Sequence, residues 1–318
     1  MDVKNIKEIS MDIIGNVGKV IIGKVHQTKL ILAAMYSKGH VLIEDIPGVG
    51  KTMLARAIAK SIDAVFRRVQ ATPDLLPSDI IGVSIYNPET KKFEFRKGPI
   101  ISNILLVDEI NRATPKTQSA LLESMGESQI SVEGISINLP SPFIVLATQN
   151  PIEFEGTFPL PEAQMDRFMI NISLGYPSPD EEVQVLTSQK EKHPIESISS
   201  VTTIKEITSI QESLTKIYIE ESLKHYIVDI VNRTRNHPSV FLGSSPRGSL
   251  SIFKMSQAIA AINGRDFVIP EDIKSVVMPC LRHRLILKPE AKLKNIKPED
   301  ILSSILESVE VPIEEAKV

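Results

Sequence analysis

"HVLIEDIPGVGKTMLARAIAKSI", residues 40–62, decides how the rest of the chain is read. It opens with a short apolar strand, "HVLIE". It then turns through Gly48-Val49-Gly50-Lys51-Thr52 and continues with Leu54, Ala57, Ile58 and Ile62 at helical spacing. Strand, glycine loop and helix are the context in which G-x-x-x-x-G-K-[ST] binds phosphate. Glycines let backbone N–H groups turn onto phosphate oxygens with no Cβ in the way. The helix N-terminus then presents a positive dipole end to the anion. The pattern departs at its first position, where Asp45 replaces glycine. That slot lies at the strand exit, before the tightest part of the loop. The Asp45 carboxylate is therefore expected to point away from a bound anion. Pro47, Gly48, Val49, Gly50, Lys51, Thr52 and Met53 are the candidate nucleotide contacts. Lys51 is expected on the β- and γ-phosphates and the Thr52 hydroxyl on Mg²⁺.

Further strands extend this reading. "ILLVDEI" is an apolar run ending in Asp108 and Glu109. Asp108 is a candidate holder of Mg²⁺ through a water, and Glu109 a candidate to orient the attacking water. "FIVLATQNP" is a second apolar run, ending in Thr148, Gln149 and Asn150. An amide at that tip can hydrogen-bond a γ-phosphate or a water. With "VFRRV" (65–69) and "FMINI" (168–172) these make five strands, with helical stretches between several of them. Such alternation predicts a parallel sheet covered by helices on both faces. Two β-hairpins are expected inside this region, at 83–98 and 129–139.

After about residue 175 the pattern turns helical. Ser178, Pro179 and Glu181 read as a capped helix start. Ile219, Leu223, Tyr226, Ile227 and Ile230 keep helical spacing, as do Ile301, Leu302, Ile305, Leu306 and Val309. The expected division is an α/β unit over 1–175 and an all-α unit over 176–318. Two arginines stand out: Arg167, just before the last strand, and Arg247, in the helix start "SSPRGSL". A cation there opposes its own helix dipole, which points to an anionic ligand.

The net charge of −3 argues against a nucleic-acid binder held by bulk electrostatics. Cys280 is the single cysteine, so no disulfide can close within the chain. The opening "MDVKNIKEIS" lacks an apolar leader core, and no apolar run reaches the length of a membrane helix. The expected location is cytoplasmic, without membrane insertion. The six histidines lack metal-ligand spacing and are expected to be structural or at the surface.

Four stretches together resemble one family over nearly the whole chain. They are "VIIGKVHQTKLILAAMYSKGHVLIEDIPGVGKT", "LLVDEINRATPKTQSALLESMGESQISVEG", "ATQNPIEFEGTFPLPEAQMDRF" and "SSPRGSL". On them the chain is similar to the MoxR family of AAA+ ATPases, within the clade carrying a helix-2 insertion. The resemblance implies a P-loop NTPase core followed by an all-α lid, with ATP and Mg²⁺ as cofactors. Gly48, Gly50, Lys51 and Thr52 would form Walker A, and Asp108 and Glu109 Walker B. Asn150 would be sensor 1, Arg247 sensor 2 and Arg167 the arginine finger acting on a neighbouring subunit. Ile22 and Gly23 would lie near the adenine, Arg112 at a subunit interface, and 83–98 would be the helix-2 insertion. The resemblance further implies a hexameric ring and chaperone-like remodelling, maturation or metal insertion, with a partner bearing a von Willebrand factor A domain. Two other functions stay open on the residues. One is a nucleic-acid ring motor using Lys91, Lys92, Arg96 and Lys97; the other is a nucleotide-gated switch with little turnover.

Overall fold

A computed structural model describes residues 1–150, 156–188 and 194–312. Residues 151–155 of the "ATQNPIEFEG" motif lie outside the described residues. Five parallel strands form the central sheet: β1 (Val41–Glu44), β2 (Phe66–Gln70), β3 (Ile104–Asp108), β4 (Ile144–Gln149) and β5 (Ile170–Ile172). Their order across the sheet is β2-β3-β4-β1-β5. β1 is sandwiched in register, Val41 opposite Leu146 on one side and Ile170 on the other. Alternate residues of these strands enter different cores. Ile43, Leu106 and Leu146 pack into one apolar cluster, and Leu42, Leu105, Val107 and Val145 into the other. Near-continuous apolar runs follow from that geometry, since successive side chains face opposite, equally dry layers. Because all five strands run the same way, the β1 loop and the tips of β3 and β4 converge on one edge. This is the crevice where open parallel sheets bind ligands.

The expected strands appear with shifted ends. β5 begins at Ile170, two residues later than the apolar run suggested. The Phe168 N–H donates back to the Met165 carbonyl and so closes a turn there. Both hairpins form: Gly82–Asn87 pairs with Lys92–Lys97, and Gln129–Val132 with Ile135–Asn138. The first is stabilised at its tip by an edge-on Tyr86–Phe93 ring pair with centroids 5.5 Å apart.

Two helices, Val3–Gly18 and Val25–Tyr36, precede the sheet. They share the larger apolar cluster with Ile252, Met255 and Leu281 of the C-terminal unit. The two units are thus packed together along that seam. The C-terminal unit is helical, as its periodicity predicts. Leu223, Tyr226, Ile227 and Ile230 are buried along Glu221–Asn236, and Ile301, Leu302 and Ile305 along Pro298–Ser308. It is not purely helical, however. Val240–Leu242 and Ile286–Leu287 form a small antiparallel ribbon, too short to leave a period in the sequence. The predicted cap at the start of Pro179–Ser188 is in place. The Ser178 N–H donates to the Glu181 carboxylate at 2.7 Å, and the Glu181 N–H to the Ser178 hydroxyl at 3.3 Å.

Arg284 clamps the C-terminal unit to the sheet. Its buried guanidinium pairs with Asp166 at 2.7 Å and donates to the carbonyls of Phe168, Met169 and Cys280. Beside it, Arg282 reaches Asn171 at 2.9 Å and Glu44 at 3.5 Å. No helix among the described residues is long and apolar enough to cross a membrane.

Candidate nucleotide site

The loop after β1 turns on two left-handed glycines, Gly48 at φ +87° and Gly50 at φ +89°. Gly50 caps the helix Lys51–Ser61, so that helix begins at the loop and aims its N-terminus into the crevice. A Cβ at Gly48 would meet nothing, so the demand there is conformational. At Gly50 a Cβ would come within 3.3 Å of Ile21, which places the segment before the second helix beside the loop. The Lys51 ammonium folds back and donates to the Asp45 carbonyl oxygen at 2.9 Å. Burial pulls the Lys51 pKa down, and the carboxylates of Asp45, Asp108 and Glu109 oppose that shift. The loop thus holds its cation against its own backbone, among three carboxylates.

Asp45 answers the question raised by the motif. Its carboxylate points out of the loop toward the chain leaving β5. One oxygen accepts from the Leu174 N–H at 2.6 Å, the Gly175 N–H at 2.8 Å and the Ser173 hydroxyl at 3.1 Å. The other accepts from the Ile46 N–H at 3.0 Å. Four donors satisfy a charge that is 7% exposed, so it costs little to bury. Gly175, at φ +63°, is where the chain turns toward the C-terminal unit. One residue therefore touches both the phosphate loop's lysine, through its carbonyl, and this turn, through its carboxylate.

The acids at the β3 tip occupy the facing wall. Asp108 is buried, and its two oxygens accept from the Arg68 guanidinium at 2.6 Å and the Thr148 hydroxyl at 3.3 Å. Glu109 adopts a left-handed backbone, φ 56° and ψ 50°, which costs an L-residue about 1–2 kcal/mol. Its N–H donates to the Thr148 hydroxyl at 2.9 Å, which holds that turn. Its side chain accepts from the Gln70 amide at 2.8 Å and from Arg112 at 3.0 Å. Non-glycine residues in this region cluster at functional sites.

Pro47, Gly48, Gly50, Lys51, Thr52, Met53, Asp108, Glu109 and Asn150 line one cleft of about 340 Å³. The structure thus unites most of the sequence-predicted residues. The residues also suit the cofactors. A hydroxyl (Thr52) and a buried carboxylate (Asp108) are hard oxygen donors of the kind Mg²⁺ takes. A cation, the Arg68 guanidinium, already neutralises the carboxylate. Arg68, Gln70 and Thr148 belong to the same wall and were not singled out as site residues. Arg68 and Gln70 sit on alternate positions of β2 and so share a face. Polar alternation at a strand end is their sequence signal, but only the β2–β3 pairing, with Gln70 opposite Asp108, gives it a meaning. Ile22 and Gly23 do not line this cleft. Ile21 contacts Gly50 instead, and Gly23, at φ +77°, lies against the Glu181 carboxylate, which a Cβ would strike.

The two singled-out arginines lie elsewhere. Arg167 precedes β5, at the end of the sheet opposite the phosphate loop. There it lines a second cleft, of about 230 Å³, with Arg247, Lys38, Lys254 and Arg284. Arg167 donates to the Leu122 carbonyl at 2.5 Å. Asp166 is the acid lining this cleft, and it is already paired with Arg284 and bonded to Ser245. Within one chain Arg247 therefore lies apart from the phosphate cleft and is grouped with Arg167. The helix Pro246–Ile262 is capped by Ser245, and the Ser245–Asp166 bond fixes that start beside Arg167. His40 also borders this cleft. It is buried, its pKa lowered to about 4 by burial, with ring nitrogens bonded to the Met125 carbonyl and the Val145 N–H. Its role is structural.

A phosphate loop, an acidic strand tip and a polar tip on the next strand, set on a five-stranded parallel sheet with a helical lid, define an AAA+ ATPase. Residues 40–170 match the ATPase family associated with various cellular activities (AAA), and residues 232–305 match the AAA lid domain. The chain is 52% identical to the Bacillus subtilis protein YeaC over 95% of both chains. It is 41% identical to chaperone MoxR1 of Mycobacterium tuberculosis, over 93% of this chain and 80% of that one. A crystal structure from Cytophaga hutchinsonii, provisionally described as an ATPase, superposes with a TM-score of 0.91 at 38% identity, covering 98% of this chain and 97% of that one. The chain belongs to the MoxR family of AAA+ ATPases.

Proposed function

We propose that this protein hydrolyses Mg-ATP in a head-to-tail ring of its own copies and uses the resulting domain movement to remodel partner proteins. The observation that carries this reading is the split between the two clefts. Lys51, Asp108 and Glu109 line one end of the sheet, and Arg167 and Arg247 line the other. A surface that is half of a site at each of two different ends is completed by a heterologous contact, which closes into a ring when the rotation allows. Arg167 and Arg247 of one protomer would then meet the triphosphate held by the next. Family resemblance supports a ring of six.

Within each site, Lys51 and the loop N–H groups bind the phosphates, and Asn150 faces the same space. Thr52 and Asp108 would hold Mg²⁺, which would supply charge neutralisation at the phosphates. Glu109 orients the attacking water and takes up its proton, once its side chain leaves Gln70 and Arg112. The trans arginines stabilise charge that grows on the transferring phosphoryl group, an effect worth about 10³ to 10⁵ in rate, or roughly 4–7 kcal/mol. We place the working division at Gly175, with residues 1–175 as the core and 176–318 as the lid, and Asp45 beside the turn between them. The relative named chaperone MoxR1 supports a protein client. A partner with a von Willebrand factor A domain, and client maturation or metal insertion in the cytoplasm, complete the reading.

Mixing tests the shared site. Arg167→Ala subunits retain a sound phosphate cleft, and Lys51→Ala subunits retain sound arginines. Mixtures should recover turnover that neither variant shows alone. No recovery at any ratio would remove the trans assignment.

A further inference from the structure

Arg68 is half-exposed, yet it is bonded to the buried acid expected to hold the metal. Its Nε donates to one Asp108 oxygen at 2.6 Å, while the other oxygen takes the Thr148 hydroxyl. The same guanidinium donates to the Gln70 side-chain oxygen at 3.3 Å, and the Gln70 amide in turn holds Glu109. Arg68 also lines the cleft together with Lys51 and Thr52. A carboxylate this buried requires a counter-charge when no metal is present. A planar fork of donors supplies it, and the same fork suits phosphate oxygens equally well.

We propose that Arg68 is a built-in counter-cation for this site: it neutralises Asp108 in the nucleotide-free protein, yields that carboxylate to the divalent ion that arrives with ATP, and then binds the terminal phosphate. The exchange leaves neither the carboxylate nor the guanidinium unpaired at the end. The metal replaces the guanidinium on Asp108, and the released guanidinium meets the negative charge that entered with the metal. The strand position makes this possible, because Gln70 stands opposite Asp108 and Arg68 one alternate position before it. The proposal rests on the cleft being the nucleotide site.

Arg68→Gln and Arg68→Lys test it on the full-length protein. The first measurement is binding of Mn²⁺ alone, followed by electron paramagnetic resonance in the absence of nucleotide. Removing the competing guanidinium should tighten Mn²⁺ binding on the order of tenfold in Arg68→Gln, with Arg68→Lys between it and wild type. Unchanged Mn²⁺ affinity would overturn the counter-cation role. The second measurement compares Mg-ATPγS with Mg-ADP binding by calorimetry. Arg68→Gln should lose roughly tenfold for ATPγS and little for ADP. Equal weakening of both would overturn the terminal-phosphate role. Lys51→Ala separates the two readings. If it binds nucleotide as wild type does, the cleft itself is misassigned. If it loses binding while Arg68→Gln behaves as wild type in both measurements, only the proposal for Arg68 fails. Circular dichroism of each variant confirms that it is folded.

Discussion

The two clefts differ in how completely each answers its own charge. In the phosphate cleft every charged wall has a partner from the same chain. Lys51 rests on the Asp45 carbonyl, Asp108 on Arg68 and Thr148, and Glu109 on Gln70 and Arg112. In the arginine cleft the cations outnumber the acid, and that acid is already engaged. The first cleft balances its charge within the chain, whereas among the described residues the second carries more cations than its one acid, Asp166, can answer. The contrast teaches that charge is balanced in one cleft and in excess in the other, which is what the proposed contact between neighbouring copies would use.

Turnover breaks or sharpens this contrast most strongly. Arg167→Ala should lower steady-state ATP hydrolysis about 10³- to 10⁵-fold while nucleotide affinity stays near wild type. Wild-type turnover in that variant would erase the distinction between the clefts. Glu109→Gln should retain ATP binding and lose about 10²- to 10⁴-fold in hydrolysis, the range of a positioned general base. Single-turnover quench measurements distinguish that loss from slow product release.

Stability effects come next. Arg284→Met removes one partner of a buried ion pair and strips donors from four carbonyls, and should cost about 3–5 kcal/mol in urea denaturation. Asp45→Ala leaves the Leu174 and Gly175 N–H groups without their acceptor and should cost about 2–3 kcal/mol. Asp45→Asn should cost less, because its amide oxygen can still accept. If Asp45→Ala proves as stable as wild type, the carboxylate does not hold the turn at Gly175.

The smallest effect is on pH. His40 is buried neutral, with its pKa lowered to about 4, and burial likewise holds the His283 pKa well below the usual range. The unfolded chain protonates these rings near pH 6.5 and the folded chain resists. Stability is therefore fully present above pH 6.5 and is lost as pH falls toward 4, by roughly 3 kcal/mol for His40. Replacing His40 with Gln should flatten the acid limb of a stability–pH profile. An unchanged slope would show that the ring is not neutral when folded.

Much of this was legible in the chain itself. The phosphate loop is local: strand, two left-handed glycines and a helix start occupy residues 41–61, and local chemistry dictates them. The acidic tip after Leu105-Leu106-Val107 is local too, since a run buried on both faces must belong to an interior strand. The capped starts at Ser178 and Ser245 were readable for the same reason. Partnership across the sheet was not readable. Arg68 and Gln70 acquire a role only because β2 pairs with β3, an adjacency set by crossover topology and not by any nearby residue. The motif around Arg247 says what kind of helix start it occupies, not which face of the core that helix meets. Ser245 on Asp166 and Arg284 on the turn before β5 decide that, and both are contacts between residues about 80 to 120 positions apart. Sequence determined each element and its chemistry, because backbone propensity and apolar periodicity act over a few residues. Tertiary structure decided which of those chemistries share a cavity, because that depends on how distant surfaces bury one another.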